Sequence, residues 1–143
     1  MNINEVFERL EGKYDVELSN NAIIVKNKDE ILNVLREIKD LGFELLTNLT
    51  AVDYPPERFE IVYHVESYLN NYDIITVKTS VSRENPRIPS AFSIWPAADW
   101  QEREVYDLMG IVFENHPHLT RVFLGEDFEG FPLRKDYKVQ SNR

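Results

Sequence analysis

The sequence contains no cysteine, which excludes disulfides, thiolate nucleophiles, zinc held by sulfur and any iron–sulfur cluster ligated by this chain's own thiolates. Redox chemistry, if the protein takes part in any, has to reside on a partner. Long apolar runs are missing too: nothing approaches the roughly 20 residues that a membrane-crossing helix needs. The opening "MNINEVFERLEG" has neither the basic start nor the apolar centre of a secretory signal, so a cytoplasmic location is expected. Positive charge is scarce, with 16 Lys and Arg against 25 Asp and Glu for a net −9. That balance repels phosphate backbones and removes the main driving term for nucleic-acid binding. The five glycines form no dinucleotide fingerprint, and "GEDFEG" is not a phosphate-cradling loop.

What remains is the composition of one soluble domain, 143 residues with 43% hydrophobic and 29% charged residues. Ile3, Val6, Phe7 and Leu10 recur at helical spacing before Gly12. "YDVELS" and "NAIIVK" read as strands joined at Asn20 and Asn21, residues that tolerate the positive φ of a tight hairpin turn. In "NKDEILNVLREIKDLG" Asn27 and Glu30 have capping-box spacing, Ile31, Leu35, Ile38 and Leu41 form an apolar face, and Gly42 ends the helix. Three extended segments follow, "FELLTNLTAVDY", "RFEIVYHVESYL" and "IITVKTSVS", separated by "PPE" and "NNYD".

The order α-β-β-α-β-β-β alternates too little for a doubly wound parallel sheet. It predicts an α+β fold with helices packed on a mixed sheet. Ser90 to Trp95 has room for one or two helical turns, Pro96 to Met109 should be a C-terminal helix stopped by Gly110, and an extended tail follows. Residues 1–143 are read as a single domain, with 125–143 as a docking tail.

The densest charge lies in "WQEREVYDLMGIVFENHPHLTRVF". Arg103 and Asp107 stand four apart on the predicted helix and Glu104 and Asp107 three apart. The helix offers little purely polar face, so the expectation is that Arg103 is held by a carboxylate, Asp107 being the nearest along the helix. A metal site would join His116 and His118, which project together in an extended segment, to Glu104 or Asp107. His64 is isolated, and no His-Glu-x-x-His pair is present, so hydrogen-bonded histidines are the better expectation. An acid–base hydrolase would use two of Glu102, Glu104 and Asp107. Against it, acids on one helix are common, and no serine stands in a nucleophile elbow.

Glu102-Arg103-Glu104, then Asp107-Leu108-Met109-Gly110, Phe113, His116-Pro117 and Arg121 form a pattern that resembles the signature of the thirty-kilodalton subunit family of respiratory complex I, which serves in bacterial NADH:quinone oxidoreductase. "IWPAADW" before it and "GFPLRKDY" after it are similar to family segments, so the resemblance covers Ile94 to Tyr137. It departs at Thr120, where a basic residue is usual, and at Lys138, where a proline is usual.

What the resemblance implies is a peripheral-arm subunit on the cytoplasmic side of the cell membrane, with no catalytic residue, cofactor or metal on this chain. Flavin and iron–sulfur clusters would sit on partner subunits, and the chain would dock on the quinone-site subunit related to the large subunit of nickel–iron hydrogenases, beside iron–sulfur subunits. Glu102, Arg103, Glu104, Asp107, His116, Arg121, Arg134, Lys135, Asp136 and Tyr137 become structural and partner-binding positions. The same resemblance extends to membrane-bound hydrogenases and related ion-pumping oxidoreductases. In the tail, Phe128, Phe131 and Leu133 are expected to anchor while Arg134, Lys135 and Asp136 pair with the partner. The alternative is that "FPLRKDY" folds back on the sheet.

Overall fold

A computed structural model describes residues 1–69, 73–120 and 130–135. Helix α1 (Ile3–Glu11) starts from a capping box in which Asn2 Oδ1 accepts from Glu5 N and the Glu5 carboxylate accepts from Asn2 N. The box expected at Asn27 and Glu30 does not form. Asn27 accepts from Asp29 N ahead of a short 3-10 turn, Lys28–Glu30, while the Glu30 carboxylate accepts from Asp15 N. Strands β1 (Val16–Ser19) and β2 (Ala22–Val25) make the hairpin, with Asn20 and Asn21 at φ 50° and 59°. Helix α2 runs Ile31–Asp40.

The three predicted extended segments are β3 (Leu45–Tyr54), β4 (Arg58–Ser67) and β5 (Asp73–Ser82). They form an antiparallel meander, and β5 pairs in parallel with β2, so the five-stranded sheet is mixed, in the order β1-β2-β5-β4-β3. The α+β expectation therefore holds. Period-two alternation sends Ile61, Tyr63 and Val65 of β4 and Ile75, Val77 and Val81 of β5 to one face. There they join Val6 and Leu10 of α1 and Ile31, Val34, Leu35 and Ile38 of α2 in a single core. Glu60, His64, Thr76 and Lys78 line the opposite, open face.

Two short strands escape sequence reading: β6 (Arg87–Pro89) and β7 (Val112–Glu114), a parallel pair. Each is only three residues long and holds a single fully buried side chain, Ile88 or Phe113, so no periodicity announces them. Between them, Trp95 N donates to Ala91 O and closes one turn, and α3 begins at Ala98, ending at Met109. Gly110 stops α3 at φ 77°, in the left-handed region that glycine adopts without strain. The β6–α3–β7 unit lays α3 beside β3, at the edge of the sheet.

Candidate functional site

Helix α3 carries the charged signature, and the fold buries two of its acids, Glu102 and Asp107. Glu102 is fully buried. It accepts from Ser90 Oγ at 2.5 Å and from Ala91 N at 2.7 Å, while Ser90 Oγ accepts from Phe92 N. The carboxylate thus ties α3 to the turn after β6. Burial pushes the Glu102 carboxyl up to about 7; the Ser90 and Ala91 bonds pull the other way, and the charge of Asp99 adds to the rise. Tyr63, wholly buried in β4, is raised by burial and by the same carboxylate.

His116 packs against Glu102 from the segment after β7, with its side chain fully buried. Nδ1 accepts from His118 N at 3.0 Å, which puts the ring proton on Nε2. Nε2 lies 3.1 Å from Asp99 O, 3.1 Å from Asp99 Oδ1 and 4.0 Å from Glu102 Oε1. Both ring nitrogens are therefore engaged, and His116 and His118 do not converge with Glu104 or Asp107. Among the described residues no three His, Asp or Glu side chains gather as a metal would require.

Arg103 departs from expectation. It pairs with no carboxylate among the described residues: its Nη2 donates to Thr120 Oγ1 at 3.3 Å and its guanidinium lies over Trp100, 5.6 Å from the ring centre. The reason is depth. Asp107 is fully buried and engaged elsewhere, whereas Arg103 runs along the helix surface toward the loop after β7.

The buried ion pair joins β3 to the loop after β5, in residues that the sequence pattern did not single out. Asp53 of β3 receives Arg83 Nε at 2.7 Å and Nη2 at 3.1 Å, and Lys135 N donates to its Oδ2 at 2.7 Å. Burial raises the Asp53 carboxyl, but the Arg83 and Lys135 bonds and the Arg83 and Arg134 charges outweigh it, and the net shift is downward. The available signal was parity: Leu49, Ala51 and Asp53 share the inward face of β3, and an acid there demands a cation.

That pair also seats part of the tail. Leu133 N donates to Leu108 O at 3.0 Å, and Arg134 Nε donates to Met109 O at 2.7 Å. The Arg134 guanidinium lies over both Phe59 and Phe131, at 5.1 and 5.0 Å. As far as Lys135, then, "FPLRKDY" folds back on the domain. Arg121, Phe128, Asp136 and Tyr137 lie outside the described residues.

A small cleft of about 130 Å³ lies between α3 and β3, lined by Asn48, Leu49, Thr50, Ala51, Gln101, Glu104, Val105, Leu108, Met109 and Leu133. It is smaller than the 300–1,000 Å³, roughly, that small-molecule sites occupy. Glu104 on its rim is exposed. With Glu102 sealed away from solvent and Asp107 buried, the acids on α3 have no common space in which to act on a substrate.

This arrangement is an α+β domain with its charged helix tied inward, and its fold is shared with a chain of an archaeal respiratory membrane complex. It superposes on the structure titled "Nqo5 of the trypsin-resistant fragment" with a TM-score of 0.71 and 32% identity, covering 83% of this chain and 100% of that one. It superposes on a chain of the archaeal membrane-bound sulfane sulfur reductase with a TM-score of 0.79 and 28% identity, covering 95% and 83%. Residues 24–143 match the family described as respiratory-chain NADH dehydrogenase, 30 Kd subunit, and the chain belongs to that family.

Among similar sequences, the C subunit of NADH-quinone oxidoreductase from Moorella thermoacetica is 43% identical over 141 residues, 97% of this chain and 93% of that protein. Its counterpart from Chloroherpeton thalassium is 44% identical over 131 residues, covering 87% of this chain but only 55% of that protein. This chain thus spans about half the length of the second relative. No helix among the described residues is long and apolar enough to cross a membrane.

Proposed function

We propose that this chain is a non-catalytic scaffold subunit in the peripheral arm of a proton-pumping NADH:quinone oxidoreductase. It docks on the quinone-site subunit while electrons pass from NADH to quinone through flavin and iron–sulfur clusters held by other subunits. It binds no cofactor or metal of its own and lies on the cytoplasmic side of the membrane. The observation that carries this reading is the family match over residues 24–143. Its support in the geometry is that Glu102 and His116 are bonded within the fold and Asp107 is buried, and the absence of cysteine leaves no thiolate for a cluster.

The likeness to the sulfane sulfur reductase chain favours one second reading, the equivalent subunit of a membrane-bound hydrogenase or related ion-pumping oxidoreductase with another electron donor. Affinity purification of the tagged chain from solubilised membranes, with mass spectrometry of what accompanies it, tests both. A flavin-binding NADH-oxidising subunit beside the quinone-site subunit is the result expected. A nickel-binding large subunit without an NADH-oxidising one would establish the second reading, and a chain purified without either would overturn both.

A further inference from the structure

The loop after β7 exposes Asn115, Pro117, His118 and Thr120, while the His116 side chain turns inward and is fully buried. Two contacts hold this loop to α3: Arg103 Nη2 donates to Thr120 Oγ1, and His116 Nε2 lies 3.1 Å from Asp99 O. A third bond sets the loop's own shape. The His118 amide donates to His116 Nδ1 at 3.0 Å, and Thr120 N donates to His118 O at 2.9 Å, so the second turn is built on the first.

The His118 bond exists only while Nδ1 keeps its lone pair. A neutral imidazole has one donor and one acceptor nitrogen, whereas a charged one has two donors. A second ring proton on His116 would therefore set two N–H groups face to face and break the bond. Histidine is the side chain whose charge most readily changes between about pH 5 and 8.

The groups around the ring give that proton a counter-charge. From α3, Asp99 Oδ1 lies 3.1 Å and Glu102 Oε1 4.0 Å from Nε2, and neither carboxylate pairs with a lysine or arginine among the described residues. Asp99 Oδ1 is buried and receives no hydrogen bond among the described residues, the Nε2 hydrogen being spent on the Asp99 carbonyl. From the turn after β6 come the Phe92 ring, 6.1 Å away, and Ser90 Oγ, which is bonded to Glu102. From β4 comes the buried Tyr63 hydroxyl, which feels the Glu102 charge. Burial and the positive end of α3, about half an elementary charge, oppose a charged ring, and the two carboxylates favour it.

We propose that His116 is a proton-operated latch for the loop 115–120: a second proton on its buried ring trades the His118 bond for the carboxylates of Asp99 and Glu102 and opens the loop's first turn. The latch lies within this chain and goes beyond the scaffold reading, on which it does not depend.

Glu102 takes up a proton of its own near neutrality, its carboxyl pushed up by burial to about 7, so the imidazole has to be read directly. The full-length chain, labelled with nitrogen-15, is followed by NMR from pH 8 down to pH 5.5. Ring nitrogen shifts of His116 report whether Nδ1 is bare or protonated, and hydrogen exchange reports the protection of the His118 amide relative to an unstructured peptide. The expected result is a ring protonated on Nε2 alone at pH 8 and on both nitrogens at pH 5.5, with amide protection falling about tenfold or more at the same midpoint. His116→Asn places an oxygen where Nδ1 stands, able to accept from the amide two residues on, and it cannot titrate. Its His118 amide should keep its protection throughout, although the exposed His118 ring still titrates. A His116 ring that holds only its Nε2 proton at pH 5.5, or one that charges while the His118 amide stays protected, would overturn the latch. Equal loss of protection in wild type and His116→Asn would overturn it too, and the wild-type titration decides alone should the variant not fold.

Discussion

Glu102 and Asp53 are both buried acids, and the fold treats them oppositely. Asp53, bonded by Arg83 and the Lys135 amide, keeps its proton off. Its stabilisation is present above the unfolded value near 4 and is lost as pH falls through the lower folded one. Glu102 has donors but no paired Lys or Arg among the described residues, and its carboxyl rises from 4.5 to about 7. A raised folded value means that the folded state binds the proton more tightly, so this stabilisation is full below about pH 4.5 and disappears as pH rises through 7. The swing is at most about 3 kcal/mol. Denaturation of wild type and Glu102→Gln at pH 5 and pH 8 should show wild type losing stability with pH relative to the variant; parallel pH profiles would contradict it. Arg83→Ala should cost about 3 kcal/mol or more, because it strands a buried carboxylate. Arg103→Ala, which gives up one weak bond and a half-exposed stacking contact, should cost about 1 kcal/mol or less. Chemical denaturation of the two variants side by side checks that order.

At the scale of elements, the end of α3 and the returning tail form one unit around Gly110. A Cβ at Gly110 would come within 2.8 Å of the Phe131 ring and 2.9 Å of Arg134 Nη2, at φ 77°. Gly110→Ala should therefore destabilise by about 1–3 kcal/mol, and a melting curve reads it directly. Truncation after Gly130 should also lower the melting temperature, since it removes the Leu133, Arg134 and Lys135 bonds to Leu108, Met109 and Asp53. An unchanged melting point would mean that the tail adds nothing to the lone domain. The helices and the five main strands were legible because their apolar spacing is long enough to show a period. The Asn27 and Glu30 spacing was legible but misleading, because Asp15 N offered Glu30 a different donor. β6 and β7 were not legible, since each is three residues long and pairs with a segment far along the chain, and the returning tail was legible only as the alternative to a docking arm. At the site, the sequence pattern located α3. It could not distinguish the sealed Glu102 from the exposed Glu104 two residues away, a difference set by which side of α3 faces the turn at Ser90.

For the whole molecule, the central claim is that an acidic domain without cysteine serves electron transfer by holding other subunits in place. The most direct measurement is NADH-driven quinone reduction by membranes from cells in which the chain's coding sequence has been deleted, with and without the wild-type chain supplied from a plasmid, beside the purified chain alone. A scaffold role predicts that deletion abolishes the activity and the assembled complex, that the plasmid copy restores both, and that the purified chain oxidises no NADH. Undiminished activity in the deletion membranes, or turnover by the isolated chain, would contradict it.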